Sequence, residues 1–385
     1  MPWTEEQTRA RILQARTVVV KVGSSSLTSQ EEGSKGMLDV QKLDRLVSAL
    51  SAAVQMGARV VLVSSGSVAA GLKPLGFTER PDDSVSRQAA AAVGQGLLMA
   101  QYEKSFARFG IRVGQVLMSA SDTMRSSRYR NVHNTMERLL ELGAVPIVNE
   151  NDTLVTSEVK FGDNDHLSAL VANIVRANAL ILLSDVDGLY TAPPSEPGAR
   201  RIPFIQNAID EIDNSSISGS GSSVGTGGMV TKIDAVRIAT ASGIPCLLTS
   251  AHNAGPALLG DTVGTAFAPL RARESSRRLW IGYASHPQGS VVVDDGAVQA
   301  LQTGKPSLLA VGTLGVEGEF SAGAPVWVED AQGQKIARGI SAFDSDDIIS
   351  LAGKNTEQIE RFLGSEYARP VIHRDDLVLV ETPAQ

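Results

Sequence analysis

The chain has 385 residues, with 35 Lys and Arg against 42 Asp and Glu, 43% hydrophobic residues and a single cysteine. That length predicts about two domains, each long enough to bury a core, and the lone Cys246 excludes a disulfide framework within the chain. No apolar run approaches the roughly 20 residues that cross a bilayer. Residues 1–6 do not combine a basic start with an apolar core, so a soluble, unexported protein of the cytoplasm is expected.

Up to about residue 270, short β-branched runs alternate with helical patterns. Residues 17–22, 59–63, 144–148, 179–183 and 245–249 read as buried strands, and 38–56 and 87–109 as helices between them. This predicts an α/β domain over 1–270 built on a mostly parallel sheet. Cys246 falls in the last run, where a buried thiol is expected. Residues 271–285 open on Arg271-Ala-Arg-Glu-Ser-Ser-Arg-Arg278, a polar, basic stretch that predicts a linker or a solvated helix. Beyond it, short runs at 290–293, 324–328, 335–340 and 378–380 predict a small β-rich module over 286–375, with residues 376–385 as a C-terminal tail. Residues 290–385 hold 15 acidic and 7 basic side chains, so the acidity of the chain is concentrated there.

In an open α/β sheet, ligands bind beyond the carboxyl ends of the strands. Those positions are polar here. The first strand carries Lys21 and leads into Gly23-Ser-Ser-Ser26; the second leads into Ser64-Ser-Gly-Ser67, the third into Asn149-Glu-Asn-Asp152 and the fourth into Ser184-Asp-Val-Asp-Gly188. Gly162-Asp-Asn-Asp165 opens another helix. Taken singly, such residues are helix caps, turn formers or solvated lysines; five polar segments at one end of one sheet point to a site.

Gly225-Thr-Gly-Gly-Met-Val-Thr-Lys232 then runs straight into a helical pattern. Its glycines let a ligand approach the backbone, its free N–H groups lie at the positive end of a helix dipole, and Lys232 adds a charge. By itself the loop reads either as a phosphate cradle or as a flexible surface loop. Two phosphate motifs are excluded by spelling: Thr231-Lys232-Ile233 is not a Walker A ending, and Lys21-Val-Gly-Ser-Ser-Ser26 has one glycine where a dinucleotide fingerprint needs three. No His-Glu-x-x-His or paired-cysteine spacing occurs, the five histidines show no ligand spacing, and no metal-ligand set is predicted from the protein side chains.

These segments resemble the amino acid kinase family, and within it the glutamate 5-kinase branch that carries a C-terminal PUA domain. The matching words are Val20-Lys-Val-Gly-Ser24, Ser64-Ser-Gly-Ser-Val-Ala-Ala-Gly71, Val148-Asn-Glu-Asn-Asp152, Gly162-Asp-Asn-Asp165, Leu183-Ser-Asp-Val-Asp-Gly-Leu-Tyr190 and Gly225 to Lys232, in the family's order across almost the whole chain. Serine stands at 24, 64 and 184 where threonine is also familiar, and Val230 precedes Thr231; neither departure removes a required group.

The resemblance implies an α/β amino acid kinase fold, a mostly parallel central sheet between helices, with a small C-terminal β-rich PUA domain. It implies ATP and Mg2+, and phosphorylation of the L-glutamate side-chain carboxylate to L-glutamyl 5-phosphate, the first step of proline biosynthesis. Inhibition by proline and a homodimer or tetramer are further implications. By the same carry-over Lys21 and Lys232 hold the transferring phosphoryl group and Asp165 orients both lysines. Ser65, Asp152 and Asn164 bind glutamate, with Asp152 meeting the ammonium and the hydroxyl and amide meeting carboxylate oxygens. Lys21, Ser184, Asp185, Thr226, Gly227, Gly228, Met229, Val230, Thr231 and Lys232 form the ATP site.

The chemistry asks for these residue types. A carboxylate is already ionised at neutral pH, so the acceptor needs no general base. The obstacle is repulsion between two anions, which positioned cations relieve. Kinases for N-acetylglutamate or aspartate would share Lys21 but lack the words at 149–152 and 162–165. An RNA-binding regulator, suggested by the PUA module, meets the objection that its acidic tail has the wrong sign for phosphate. An inactive scaffold is opposed by the presence of Lys21, Asp165 and Lys232 together.

Overall fold

The computed structural model describes residues 2–31, 34–119, 126–153, 164–209, 211–212, 228–270, 281, 287–303 and 306–380. It divides into two compact units, Met1–Ser276 and Arg277–Gln385. The linker expected at 271–285, Ile281 apart, and the last five residues of the tail lie outside the described residues.

The first unit is built on strands β1 (Thr17–Val22), β2 (Arg59–Val63), β3 (Arg112–Met118), β4 (Ala144–Glu150), β5 (Ala179–Ser184), β6 (Phe204–Ile205), β7 (Cys246–Ser250) and β8 (Thr265–Phe267). They form one sheet in the order β3-β4-β2-β1-β5-β7-β8-β6. Its pairings are parallel except between β7 and β8. The parallel α/β architecture expected from the alternating pattern is therefore present. β1 is central and buried at all six positions, as expected for a strand covered on both faces. Cys246 is buried in β7, where burial pushes its thiol above the ordinary range.

Side chains of a strand alternate between faces. Val18, Val20 and Val22 of β1 and Ala179, Ile181 and Leu183 of β5 belong to one core cluster. That cluster is completed by α3 (Val40–Gln55), α5 (Ser84–Ala107) and α9 (Ala254–Leu259). Each buried side chain contributes roughly 1.5–3 kcal/mol. The alternate positions of β1, including Lys21, turn to the other face, where α7 (Asn164–Ile174) packs with α8 (Met229–Ala241). Asp39 caps α3 by accepting from the N–H groups of Gln41 and Lys42, and Asp83 caps α5 by accepting from Ser86 N–H. The remaining helices of this unit are α1 (Glu5–Leu13), α2 (Ser24–Leu27), α4 (Ser67–Leu72) and α6 (Ser126–Glu141).

The second unit carries a five-stranded sheet in the order β10-β9-β11-β12-β13, from β9 (Ser290–Val293), β10 (Thr313–Glu317), β11 (Pro325–Asp330), β12 (Lys335–Ile340) and β13 (Leu377–Leu379). Helices α10 (Asp295–Gln302), α11 (Ser345–Leu351) and α12 (Thr356–Leu363) join it. Val291, Val293, Val326, Val328, Phe343, Ile348 and Ile372 are among the residues of its own core. Two cations lie against the Trp327 ring, with Lys335 Nζ 4.5 Å and Arg338 Cζ 4.1 Å from the ring centroid.

The crossing of α4 and α5 is decided by two glycines. A Cβ built on Gly94 would lie 1.8 Å from the carbonyl oxygen of Ser67, and one on Gly71 would lie 1.9 Å from that of Ala90. Backbone carbonyls cannot step aside as a flexible side chain does, so Gly94→Ala should lower stability by about 1–3 kcal/mol or more. Gly96, in the same helix, has nothing within 4 Å of such a Cβ, and Gly96→Ala should be neutral or stabilising by up to about 1 kcal/mol. Urea denaturation of the two variants checks this; equal midpoints would contradict the close helix approach.

Candidate active site

The site begins at β1. Lys21 is paired in register with Val63 of β2 and Leu182 of β5, which leaves its side chain 1% exposed near the carboxyl end of the sheet. Across from it, Asp165 occupies the first turn of α7 and has no exposure. Lys21 Nζ is 2.5 Å from Asp165 Oδ1, and Lys232 Nζ is 3.3 Å from Asp165 Oδ2. The Thr231 hydroxyl lies 2.9 Å from the same Oδ2. One carboxylate thus braces two lysines, and the three groups together carry a net charge of +1. Two helix N-termini, those of α7 and α8, face the same place and add positive potential. Burying charges this way is costly unless each is paired, and here one carboxylate meets both ammonium groups.

The next residue back, Asn164, is 9% exposed and belongs to a different network. Its Nδ2 lies 2.6 Å from the Ser64 carbonyl oxygen, 2.9 Å from Asn149 Oδ1 and 3.1 Å from Ser65 Oγ. Three acceptors around one NH2 group settle the orientation of the amide. Its Oδ1 is buried without a hydrogen-bond partner. The expectation that this amide meets carboxylate oxygens is therefore revised: its donors are committed inside the protein, and it presents an acceptor, which suits an ammonium.

Asn164, Ser65 and Asp152 line one cavity of about 130 Å³, together with Thr28, Arg80 and Glu150. The Ser67 hydroxyl donates to Asp152 Oδ2 at 3.0 Å and so fixes that carboxylate at the cavity wall. Behind the wall, the Ser64 hydroxyl donates to the Ser65 carbonyl oxygen at 2.9 Å and lies 2.8 Å from the Tyr102 hydroxyl. A hydroxyl carries one proton, so Tyr102 is the donor in that second contact. Burial pushes the Tyr102 hydroxyl well above the ordinary phenol range.

A second cavity of about 150 Å³ lies against the start of α8 and is lined by Gly188, Leu189, Tyr190, Ile202, Ile212 and Met229, among others. Its mostly apolar walls suit a flat heterocycle. Ser184 donates to Asp185 Oδ1 at 2.9 Å at the end of β5, and both line a third cavity of about 490 Å³ beside Ser25, Lys42 and His252. Of the remaining predicted nucleotide residues, Gly228 is the N-cap of α8 and Val230 is exposed. Gly225, Thr226 and Gly227 lie outside the described residues, as do Gly162, Asp163 and the segment 154–161.

Four residues of this region escaped the sequence. Arg80 lies in the stretch between α4 and α5 with no periodic pattern around it, and Tyr102 reads as one more apolar position of α5. Glu150 stood inside a quoted word without a role. Thr28 lies two residues beyond the Gly23-Ser-Ser-Ser26 segment, at which the strand-end reading stopped. His166 is buried, with Nε2 3.8 Å from Asp234 Oδ2 of α8. Among the described residues no group of three His, Cys, Asp or Glu could hold a metal ion.

Known proteins agree with this architecture. The sequence pattern of the amino acid kinase family matches residues 16–250, and that of the PUA domain matches residues 289–363. A glutamate 5-kinase of Bifidobacterium longum subsp. infantis is 60% identical over 98% of this chain and 99% of its own length. Glutamate 5-kinases of Streptomyces avermitilis and Thermobifida fusca are each 51% identical, over 97% of this chain and 99% and 96% of their own lengths. With identity of this order from end to end, the chain belongs to the amino acid kinase family and, within it, to the glutamate 5-kinases.

Proposed function

We propose that this chain transfers the γ-phosphoryl group of MgATP to the side-chain carboxylate of L-glutamate, giving L-glutamyl 5-phosphate and ADP as the first step of proline biosynthesis. A carboxylate oxygen attacks the γ-phosphorus, the bond from that phosphorus to the ADP oxygen breaks, and no proton changes hands. The observation that carries the reading is Asp165 between Lys21 and Lys232, one residue from the Asn164 that lines the acceptor cavity. The two lysines offset the charge that gathers on the transferring group, and Asp165 keeps both from turning away. Asp165 is committed to those lysines, so Mg2+ enters with the nucleotide as part of the substrate, held by phosphate oxygens and water. Bound that way, the metal neutralises triphosphate charge.

Asp152 and Asn164 Oδ1 offer two acceptors to the ammonium of glutamate, while Ser65 stands at the same wall. The apolar cavity beside Met229 takes the adenine, and the 226–232 segment takes the phosphates. Proline shares with glutamate an ammonium beside a carboxylate, and we assign it to the same cavity. A homodimer or tetramer in the cytoplasm completes the reading. No helix of the described residues is long and apolar enough to cross a membrane, and the chain's one cysteine, a buried thiol, suits a reducing compartment.

The second unit argues against a nucleic-acid partner. Among the described residues, the patch around Trp327 presents two cations, Lys335 and Arg338. Two phosphate contacts give a salt slope of about −2, against the 6–10 contacts of an ordinary DNA-binding surface.

With ATP and Mg2+, glutamate should yield a product that hydroxylamine traps as the hydroxamate, at a rate far above that with aspartate or N-acetylglutamate. A clear preference for either alternative would overturn the assignment. Lys232→Met keeps the aliphatic bulk and should lose at least about 100-fold in kcat while its melting temperature stays close to that of the parent. Near-normal turnover would remove Lys232 from the machinery. Proline should raise the apparent KM for glutamate and leave kcat unchanged; inhibition that saturating glutamate fails to relieve would place proline at a separate site.

A further inference from the structure

Among the polar groups of the acceptor cavity with no role in the reading above, one is buried without a hydrogen-bond partner. Thr28 is 2% exposed, lines the cavity with Ser65, Asp152 and Asn164, and its hydroxyl oxygen has no hydrogen-bond partner. Its backbone is held firmly. The Thr28 carbonyl oxygen accepts from Lys42 Nζ at 2.6 Å, Thr28 bridges Leu38 in antiparallel fashion, and the next residue, Ser29, donates its N–H to Met37 O at 2.8 Å. A hydroxyl buried without a partner is unfavourable, so a fixed backbone that keeps one at a ligand cavity is poised for a partner supplied by the ligand.

The chemistry of that partner follows from the other walls. Asn164 Oδ1 is the second buried atom of the cavity without a partner, and it can only accept. Asp152 accepts as well, already receiving the Ser67 hydroxyl. Those two groups match an ammonium. The Thr28 hydroxyl can donate, and an amino acid that gives its ammonium to Asp152 and Asn164 has only carboxylate oxygens left to receive that proton.

Resting on the acceptor reading above, we propose that Thr28 is a specificity-determining residue, its hydroxyl donating to a carboxylate oxygen of the amino acid whose ammonium is held by Asp152 and Asn164. A hydroxyl bonded to a carboxylate is a charge-assisted contact, and its satisfaction on binding relieves the burial cost present in the empty cavity. The contact therefore favours the bound state twice over.

The test is Thr28→Val, which keeps the shape and removes the hydroxyl, with Thr28→Ser restoring it. For Thr28→Val the KM for glutamate should rise about ten-fold or more, with the KM for ATP within two-fold of the parent. Its melting temperature without glutamate should be equal or higher, because no protein hydrogen bond is lost, and the rise in melting temperature caused by saturating glutamate should shrink. Thr28→Ser should return both readouts toward the parent. A glutamate KM for Thr28→Val within two-fold of the parent, or an equal rise in both KM values, overturns the proposal. Should valine be rejected by the packing, Thr28→Ala against Thr28→Ser makes the same comparison. If the parent protein itself shows neither turnover nor a thermal shift with glutamate, the acceptor reading falls and Thr28 with it; a normal parent beside an unaltered variant removes Thr28 alone.

Discussion

A carboxylate with no solvent exposure between two ammonium groups is the constraint on which the rest of the site depends. Moving Asp165 out of water costs several kcal/mol, and the same is true of each lysine. Lys21 and Lys232 without Asp165 would repel each other, and Asp165 without them would take up a proton or turn outward. One carboxylate meets both ammonium groups at once, so both cations are held in place before any ligand arrives, which is the preorganisation that transfer between two anions requires.

The fold supplies the three groups from elements that cannot move independently. Lys21 belongs to a strand hydrogen-bonded on both sides, to β2 and β5. Asp165 and Lys232 belong to the first turns of α7 and α8, which pack against each other. A strand places alternate side chains on opposite faces, so the valines of β1 at 18, 20 and 22 enter the core with α3 and α5 while Lys21 turns to α7. The stability of the strand and the direction of the lysine are one fact.

The interior of this architecture was legible and its margins were not. The runs at 17–22, 59–63 and 179–183 are continuous and β-branched because those strands are covered on both faces. β3, at the edge of the sheet, alternates between exposed and half-buried positions with Gly114 and Gln115 in its middle, and it breaks the pattern that revealed the others. In the second unit β10 carries a register shift between Thr313 and Gly315, which disturbs its alternation. α12 had a signal that went unread: Asn355 and Gln358 form a capping box. At the site, the lysine and carboxylate words named residues that the fold brings together, Lys21, Asp165 and Lys232, but the orientation of the Asn164 amide depends on three acceptors from residues 15 to 100 positions away. No local pattern encodes that.

On the proposed assignment, Asn164 and Asp165 couple acceptor recognition to charge neutralisation. Consecutive residues of a helix project about 100° apart, so the first turn of α7 sends its amide to the acceptor cavity and its carboxylate to the lysines. Their Cα atoms are fixed about 3.8 Å apart by one peptide unit. A shift of α7 that improved one contact would disturb the other. The amide is held by Ser64, Ser65 and Asn149, and Ser64 is held in turn by Tyr102 from within the core. The distance between the acceptor and the phosphoryl site is thereby set by covalent geometry and a buried hydroxyl network, and the lysines need only match a position that α7 has already fixed.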